Sequence, residues 1–132
     1  MTHTAEMWRS SNAKNSYQGA WPRVLCVCSA GLLRSPTLAW VLSNAPYNCN
    51  TRAVGSHEEY ALVPLDQVLM NWAKVVVFVN RENHDHALIR GLHIPENAVV
   101  LNVPDNYEYR EDELIAAIQA ELNRINFLDK LK

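Results

Sequence analysis

The run Lys-Val-Val-Val-Phe-Val at residues 74–79 constrains the fold more than any other stretch of the chain. An unbroken apolar, β-branched segment of this length fits a strand buried on both faces, as the inner strands of a parallel sheet are. Three further segments read as strands: residues 23–28 (RVLCVC), 49–54 and 98–103 (AVVLNV). Helical spacing falls between them. Residues 35–43 place Leu38, Val41 and Leu42 on one face, and Pro64 opens a helix whose apolar face is Leu65, Val68, Leu69 and Trp72. A third helix over 81–90 closes at Gly91. The last, over 111–128, has acids in its first turn and Lys130 and Lys132 past its end, which suits the helix dipole. Alternation of this kind argues for an α/β chain with helices on both faces of a parallel sheet. Ligands of such sheets sit beyond the carboxyl ends of the strands. Cys28 lies at one such end and Asp105 at another.

Length and composition bound the rest. With 132 residues, 48% hydrophobic and 20% charged, the chain is long enough for one domain with a real core. Residues 1–20 are polar and lack either hydrophobic period, so they read as a disordered or loosely docked extension to a domain spanning 21–132. A net charge of −2 argues against a nucleic-acid partner. No apolar run approaches a membrane span and no signal peptide pattern opens the chain. Three cysteines without metal-type spacing indicate neither a disulfide framework nor a zinc site. A reducing, cytoplasmic setting is the expectation.

The chemistry concentrates in residues 23–37. A strand ends at Cys28, a tight loop (Ser29, Ala30, Gly31, Leu32, Leu33) follows, and Ser35-Pro36 reads as a helix start with Ser35 as N-cap. The free N–H groups of such a loop and helix terminus cradle an anion. Gly31 allows the loop a positive φ. Cys28 and Arg34 bracket the loop with five residues between them. A helix N-terminus and an arginine favour the thiolate, and Ser35 is placed to donate to the sulfur. Arg34 offers a planar fork matched to two phosphate oxygens. That set meets the demands of phosphoryl transfer, positioning and charge stabilisation, without a metal or cofactor. Asp105 is the expected acid for the departing oxygen.

The motif Cys28-Ser-Ala-Gly-Leu-Leu-Arg34-Ser35-Pro36 resembles the phosphate-binding loop of the low-molecular-weight protein tyrosine phosphatases, in particular a small bacterial branch of predicted tyrosine phosphatases. The order matches, with the nucleophile loop early and the acid late. Arg52-Ala-Val-Gly-Ser is similar to the family's segment after strand two, and Val103-Pro-Asp105-Asn-Tyr107 to its acid loop. The resemblance implies Cys28 as nucleophile, Arg34 and the amides of 29–34 as phosphoryl binders, and Ser35 as support for the thiolate. It implies Asp105 as general acid and then base, with Tyr107 at the mouth to stack on a phosphotyrosine ring. The implied fold is a three-layer, flavodoxin-like sandwich with a four-stranded parallel sheet in the order 2-1-3-4. Three departures stand out. Gly31 replaces the asparagine that pins the loop, which predicts a looser loop. Leu33 replaces a second loop cysteine, and Asn106 replaces the proline after the acid.

Expected activity is therefore hydrolysis of phosphomonoesters, foremost phosphotyrosine in proteins, through a phosphocysteine, with inorganic phosphate as product. A phosphate-reading module without turnover is a rival. So are an arsenate reductase, which needs a further cysteine relay, and a phosphocysteine carrier, which needs no arginine. Specificity falls to the loops 56–63 and 104–110. Cys26 and Cys49 read as core residues, although a Cys26–Cys28 link under oxidation is an open alternative. Trp40 and Trp72 also read as core. His84 and His86 diverge on a helix, which gives no metal site.

Overall fold

In this computed structural model, which describes residues 20–104 and 111–132, the apolar run at 74–79 forms the inner strand β3, Val75–Phe78, with all four residues buried. The other strands are β1 (Arg23–Cys28), β2 (Asn50–Gly55) and the short β4 (Val99–Val100). All pairings are parallel and the order is β2-β1-β3-β4. The helices are α1 (Arg34–Leu42), α2 (Gln67–Trp72), α3 (Arg81–Ile89), α4 (Glu111–Arg124) and α5 (Phe127–Lys130). This is the α/β, three-layer flavodoxin-like arrangement expected.

Strand alternation divides the core in two. Val24, Cys26, Cys28, Val75 and Val77 face one layer, where Leu38 and Leu42 of α1 meet Leu114, Ile118 and Leu122 of α4 and Phe127 of α5. Leu25, Val27, Val76 and Phe78 face the other, against Met70 of α2 and Ala87 of α3. Because β2 and β3 flank β1 on opposite sides, the winding of the sheet reverses beside β1, and Cys28 ends that strand. Beyond β4 the chain keeps the direction of the sheet: the N–H of Leu101 donates to Phe78 O at 2.8 Å and that of Val103 to Val79 O at 2.9 Å. Glu121 fastens this exit by accepting from Asn102 N at 2.7 Å while Arg124 Nη2 donates to it at 3.0 Å. The hydrogen bonds from Arg124 hold the Glu121 carboxyl below the usual glutamate range.

Several local expectations change. Ser35 is not a cap: α1 begins at Arg34, Leu33 occupies the cap without a side-chain bond, and Ser35 lies inside the first turn. Asp66 rather than Pro64 starts α2, its Oδ1 accepting from Leu69 N at 2.8 Å. Pro64 instead bridges to Gly55 as a short extension of the sheet. Val68, expected on the core face, is 74% exposed, and Met70 takes the buried position. Trp72 lies under the guanidinium groups of Arg23 and Arg52, so it covers the sheet edge through cation–π contacts. Asn126, with φ of 57°, breaks the closing helix and sets Lys130 inside a separate last turn. Gly91 does close α3, at φ of 80°. No helix among the described residues is long and apolar enough to cross a membrane.

Candidate active site

The loop between β1 and α1 is built around its sulfur. The Cys28 side chain is buried, 3% exposed, with Ser35 Oγ 3.1 Å from Sγ. The Gly31 N–H donates to the same sulfur at 3.2 Å. Ser35 Oγ is also 3.2 Å from Val54 O, so its single proton has two acceptors to choose between. With a thiol, Sγ–H donates to Ser35 and Ser35 donates to Val54. With a thiolate, the Ser35 proton turns to the sulfur. Of the two roles the sequence gives Ser35, the structure shows the contact with the Cys28 sulfur and not the cap.

Gly31 carries the expected positive φ, 75°. A Cβ there would stand 2.9 Å from the carbonyl carbon of Val54 and 3.0 Å from Gly55 N, so the loop lies directly on the end of β2 and only glycine fits. Neighbouring segments bond to the loop. His57 N donates to Ser29 O at 3.1 Å, and Leu62 N donates to Ala30 O at 3.2 Å. Asn83 of α3 donates through Nδ2 to Ser29 Oγ at 3.1 Å and Ser56 Oγ at 3.2 Å. Neighbouring segments supply the restraint that the missing loop asparagine would give. Among the described residues, the N–H groups of Ser29, Ala30, Leu32 and Leu33 donate to no backbone carbonyl, which leaves them for an anion.

Arg34 is 6% exposed. Its Nη1 donates to Val103 O at 3.0 Å and its Nη2 to Ser29 Oγ at 3.4 Å. One guanidinium therefore spans the loop and the exit of the fourth strand. Cys28, Ser29, Ala30, Leu32, Leu33 and Arg34 line a cleft of about 260 Å³ together with Tyr60 and Glu82. A second hollow of about 240 Å³ continues past Arg34 to Asn80, Asn83 and Pro104. Asp105 and Tyr107 lie outside the described residues, as do 1–19; Pro104, next to Asp105 in the chain, lines the second hollow.

Two residues at the site go unnamed in the sequence reading, although the 56–63 loop that holds one of them is assigned to specificity. Tyr60, in the loop after β2, stands at the cleft with Leu32, both about half exposed. Nothing in local periodicity marks it. Asn83 did leave a signal: it lies one turn before buried Ala87 on the inward face of α3, and a polar residue on an apolar face is informative.

The other cysteines sit where burial disfavours their thiolates. Burial, with Cys49 and Cys28 adding to it, holds the Cys26 thiol well above its ordinary value. Burial likewise pushes Cys49 up to about 12. Iodoacetamide near neutral pH should therefore alkylate Cys28 alone in the folded protein, and inorganic phosphate should slow the reaction. Peptide mapping by mass spectrometry reads this, and comparable labelling of Cys26 or Cys49 contradicts it.

Sequence comparison matches the chain to no family model and to no curated protein. Comparison with solved structures finds a thioredoxin-dependent arsenate reductase of Corynebacterium glutamicum. The superposition has a TM-score of 0.54 and 14% identity, covering 94% of this chain and 69% of that one. The likeness establishes a shared fold.

Proposed function

We propose that the domain of residues 21–132 is a cysteine-dependent phosphomonoester hydrolase acting on aryl phosphates, foremost phosphotyrosine in proteins. One observation carries this reading: the Cys28 sulfur, with Ser35 Oγ at 3.1 Å and Gly31 N at 3.2 Å, shares a cleft with the buried guanidinium of Arg34. The Cys28 thiolate attacks phosphorus, and the phosphorus–oxygen bond to the leaving group breaks. Arg34 and the loop amides hold the equatorial oxygens. Asp105 gives its proton to the departing oxygen. The resulting phosphocysteine is hydrolysed by a water whose proton returns to Asp105, releasing inorganic phosphate and the thiolate. Support for Asp105 comes from its neighbours, since Arg34 holds Val103 O and Pro104 lines the adjoining hollow. Tyr60 and Leu32 give the mouth an apolar, aromatic rim for a substrate ring. Tyr107 is a second candidate for that rim. All three cysteines are unpaired, which suits work in a reducing compartment such as the cytoplasm.

A reductase that relays a disulfide through its own chain needs a second cysteine that can reach the first. Cys49 precedes Asn50, whose partner Arg23 starts β1, so it lies about 20 Å down the sheet from Cys28 at roughly 3.3 Å per residue. Cys26 is wholly buried. Neither position offers a relay to an external reductant.

Purified protein should hydrolyse p-nitrophenyl phosphate in the presence of EDTA, and acid quench should trap a phosphocysteine on Cys28. A protein that neither turns over nor accumulates the adduct refutes the enzyme reading. Asp105→Ala should lower the rate by about 10²–10⁴-fold, the range that general acids supply, and more for poorer leaving groups. A change of a few-fold would move the role to another acid.

A further inference from the structure

Asn83 is wholly buried, yet its Oδ1 has no hydrogen-bond partner among the described residues. Buried amides with an orphaned oxygen are rare and need a reason. The reason lies in what its Nδ2 holds. One bond goes to Ser29 Oγ, on the rim of the cleft, and the other to Ser56 Oγ. Ser56 is a fixed post: its N–H donates to Cys28 O at 2.7 Å, and Arg90 Nη1 donates to its carbonyl at 3.1 Å. Ser56 Oγ, which accepts from Asn83, also pairs with His57 Nδ1, 3.0 Å away. That ring is stacked on His86, with centroids 3.9 Å apart. The post is thus anchored at every polar atom.

The consequence falls on Ser29. A hydroxyl has one proton and two acceptor sites. Both acceptor sites of Ser29 Oγ are taken, by Arg34 Nη2 and by Asn83 Nδ2. Among the described residues, no acceptor takes its proton. The residue lines the cleft between Cys28 and Arg34, so the proton is left for an anion bound there.

We propose that Asn83 is a positioning residue of the anion site: by bridging Ser29 to Ser56 it fixes the loop and turns the Ser29 hydroxyl into a dedicated donor to the bound phosphoryl group. This rests on the phosphohydrolase reading for the identity of the ligand. It also assigns the loop restraint to an element distant in sequence, 54 residues from Ser29.

The test is a double-mutant cycle read by calorimetric titration with inorganic phosphate, alongside p-nitrophenyl phosphate kinetics. Asn83→Leu keeps the side chain's approximate shape and removes the orphaned oxygen, so the fold should hold; Asn83→Ala is the second variant, with thermal melting as the check on both. Each Asn83 variant, and Ser29→Ala, should weaken phosphate binding by about ten- to a hundred-fold, the range for a hydrogen bond to a charged group. The Asn83→Leu, Ser29→Ala pair should be no worse than Ser29→Ala alone, within about two-fold, because the residues act as one unit. Multiplying losses would show that Asn83 does not act through Ser29 and would overturn the proposal. Phosphate affinity within two-fold of wild type in Asn83→Leu would also overturn it, as would a wild type that binds no phosphate. A wild type that binds phosphate without hydrolysing the ester would sink the enzyme reading alone, and the binding cycle would still decide the role of Asn83.

Discussion

Cys28→Ser should reduce hydrolysis of p-nitrophenyl phosphate to background, a loss on the order of 10⁶-fold as for other removed nucleophiles. A serine hydroxyl attacks only when a base takes its proton. The groups around this position are poor bases: Ser35 Oγ at 3.1 Å and the Gly31 N–H at 3.2 Å, the latter a donor only. Among the described residues, no histidine or carboxylate bonds to Sγ, so the proposed reaction has no base nearby to activate a serine in its place. Affinity for inorganic phosphate should meanwhile stay within a few-fold, because the loop amides and Arg34 are untouched. Steady-state rates and calorimetry on the same preparation separate the two quantities. Turnover by Cys28→Ser above one part in about a thousand would place the nucleophile elsewhere.

The sheet was readable because its signals are local. The run at 74–79 declares a strand buried on both sides, and Cys28 falls at a strand end once residues 23–28 are read as β1. Element edges were less so. Ser35 looks like a cap by residue type, but its hydroxyl finds a better acceptor pair in Cys28 and Val54, which a helix rule cannot foresee. Pro64 looks like a helix start, yet Gly55 draws it into a bridge across the end of β2. Val68 fits the apolar period of α2 and still faces solvent, because the six-residue helix turns Met70 inward instead, with Leu65 buried just before it. Cys28 and Arg34 share one short motif, so their meeting in one cleft was legible from it. The contacts of Asn83, on α3, and of Tyr60 were not, since the loops they meet come together only when β1, β2 and β3 are side by side.

Arg34→Lys should cost nearly as much catalysis as Arg34→Ala, about 10³–10⁵-fold in kcat/KM, the contribution of an arginine to phosphoryl transfer. Charge alone does not explain the observed contacts. The guanidinium reaches Val103 O with one nitrogen and Ser29 Oγ with the other, across the gap between the loop and the fourth strand's exit. A lysine ammonium is a single point on a flexible stem; it can meet one of these partners and one phosphate oxygen, but not hold both sides at once. Losing the bond to Val103 O also loosens the segment that leads through Pro104 to Asp105, leaving that carbonyl only the longer bond from Asn80 Nδ2 at 3.5 Å among the described residues. The Arg34→Lys and Asp105→Ala losses should therefore combine to less than their product, because the first substitution already removes part of what the acid contributes. Rates for the four proteins of this cycle, with two leaving groups of different pKa, give the coupling directly. A lysine variant within ten-fold of wild type would show that a point charge suffices. Fully multiplicative losses would show that Arg34 binds the phosphoryl group without organising the acid side of the cleft.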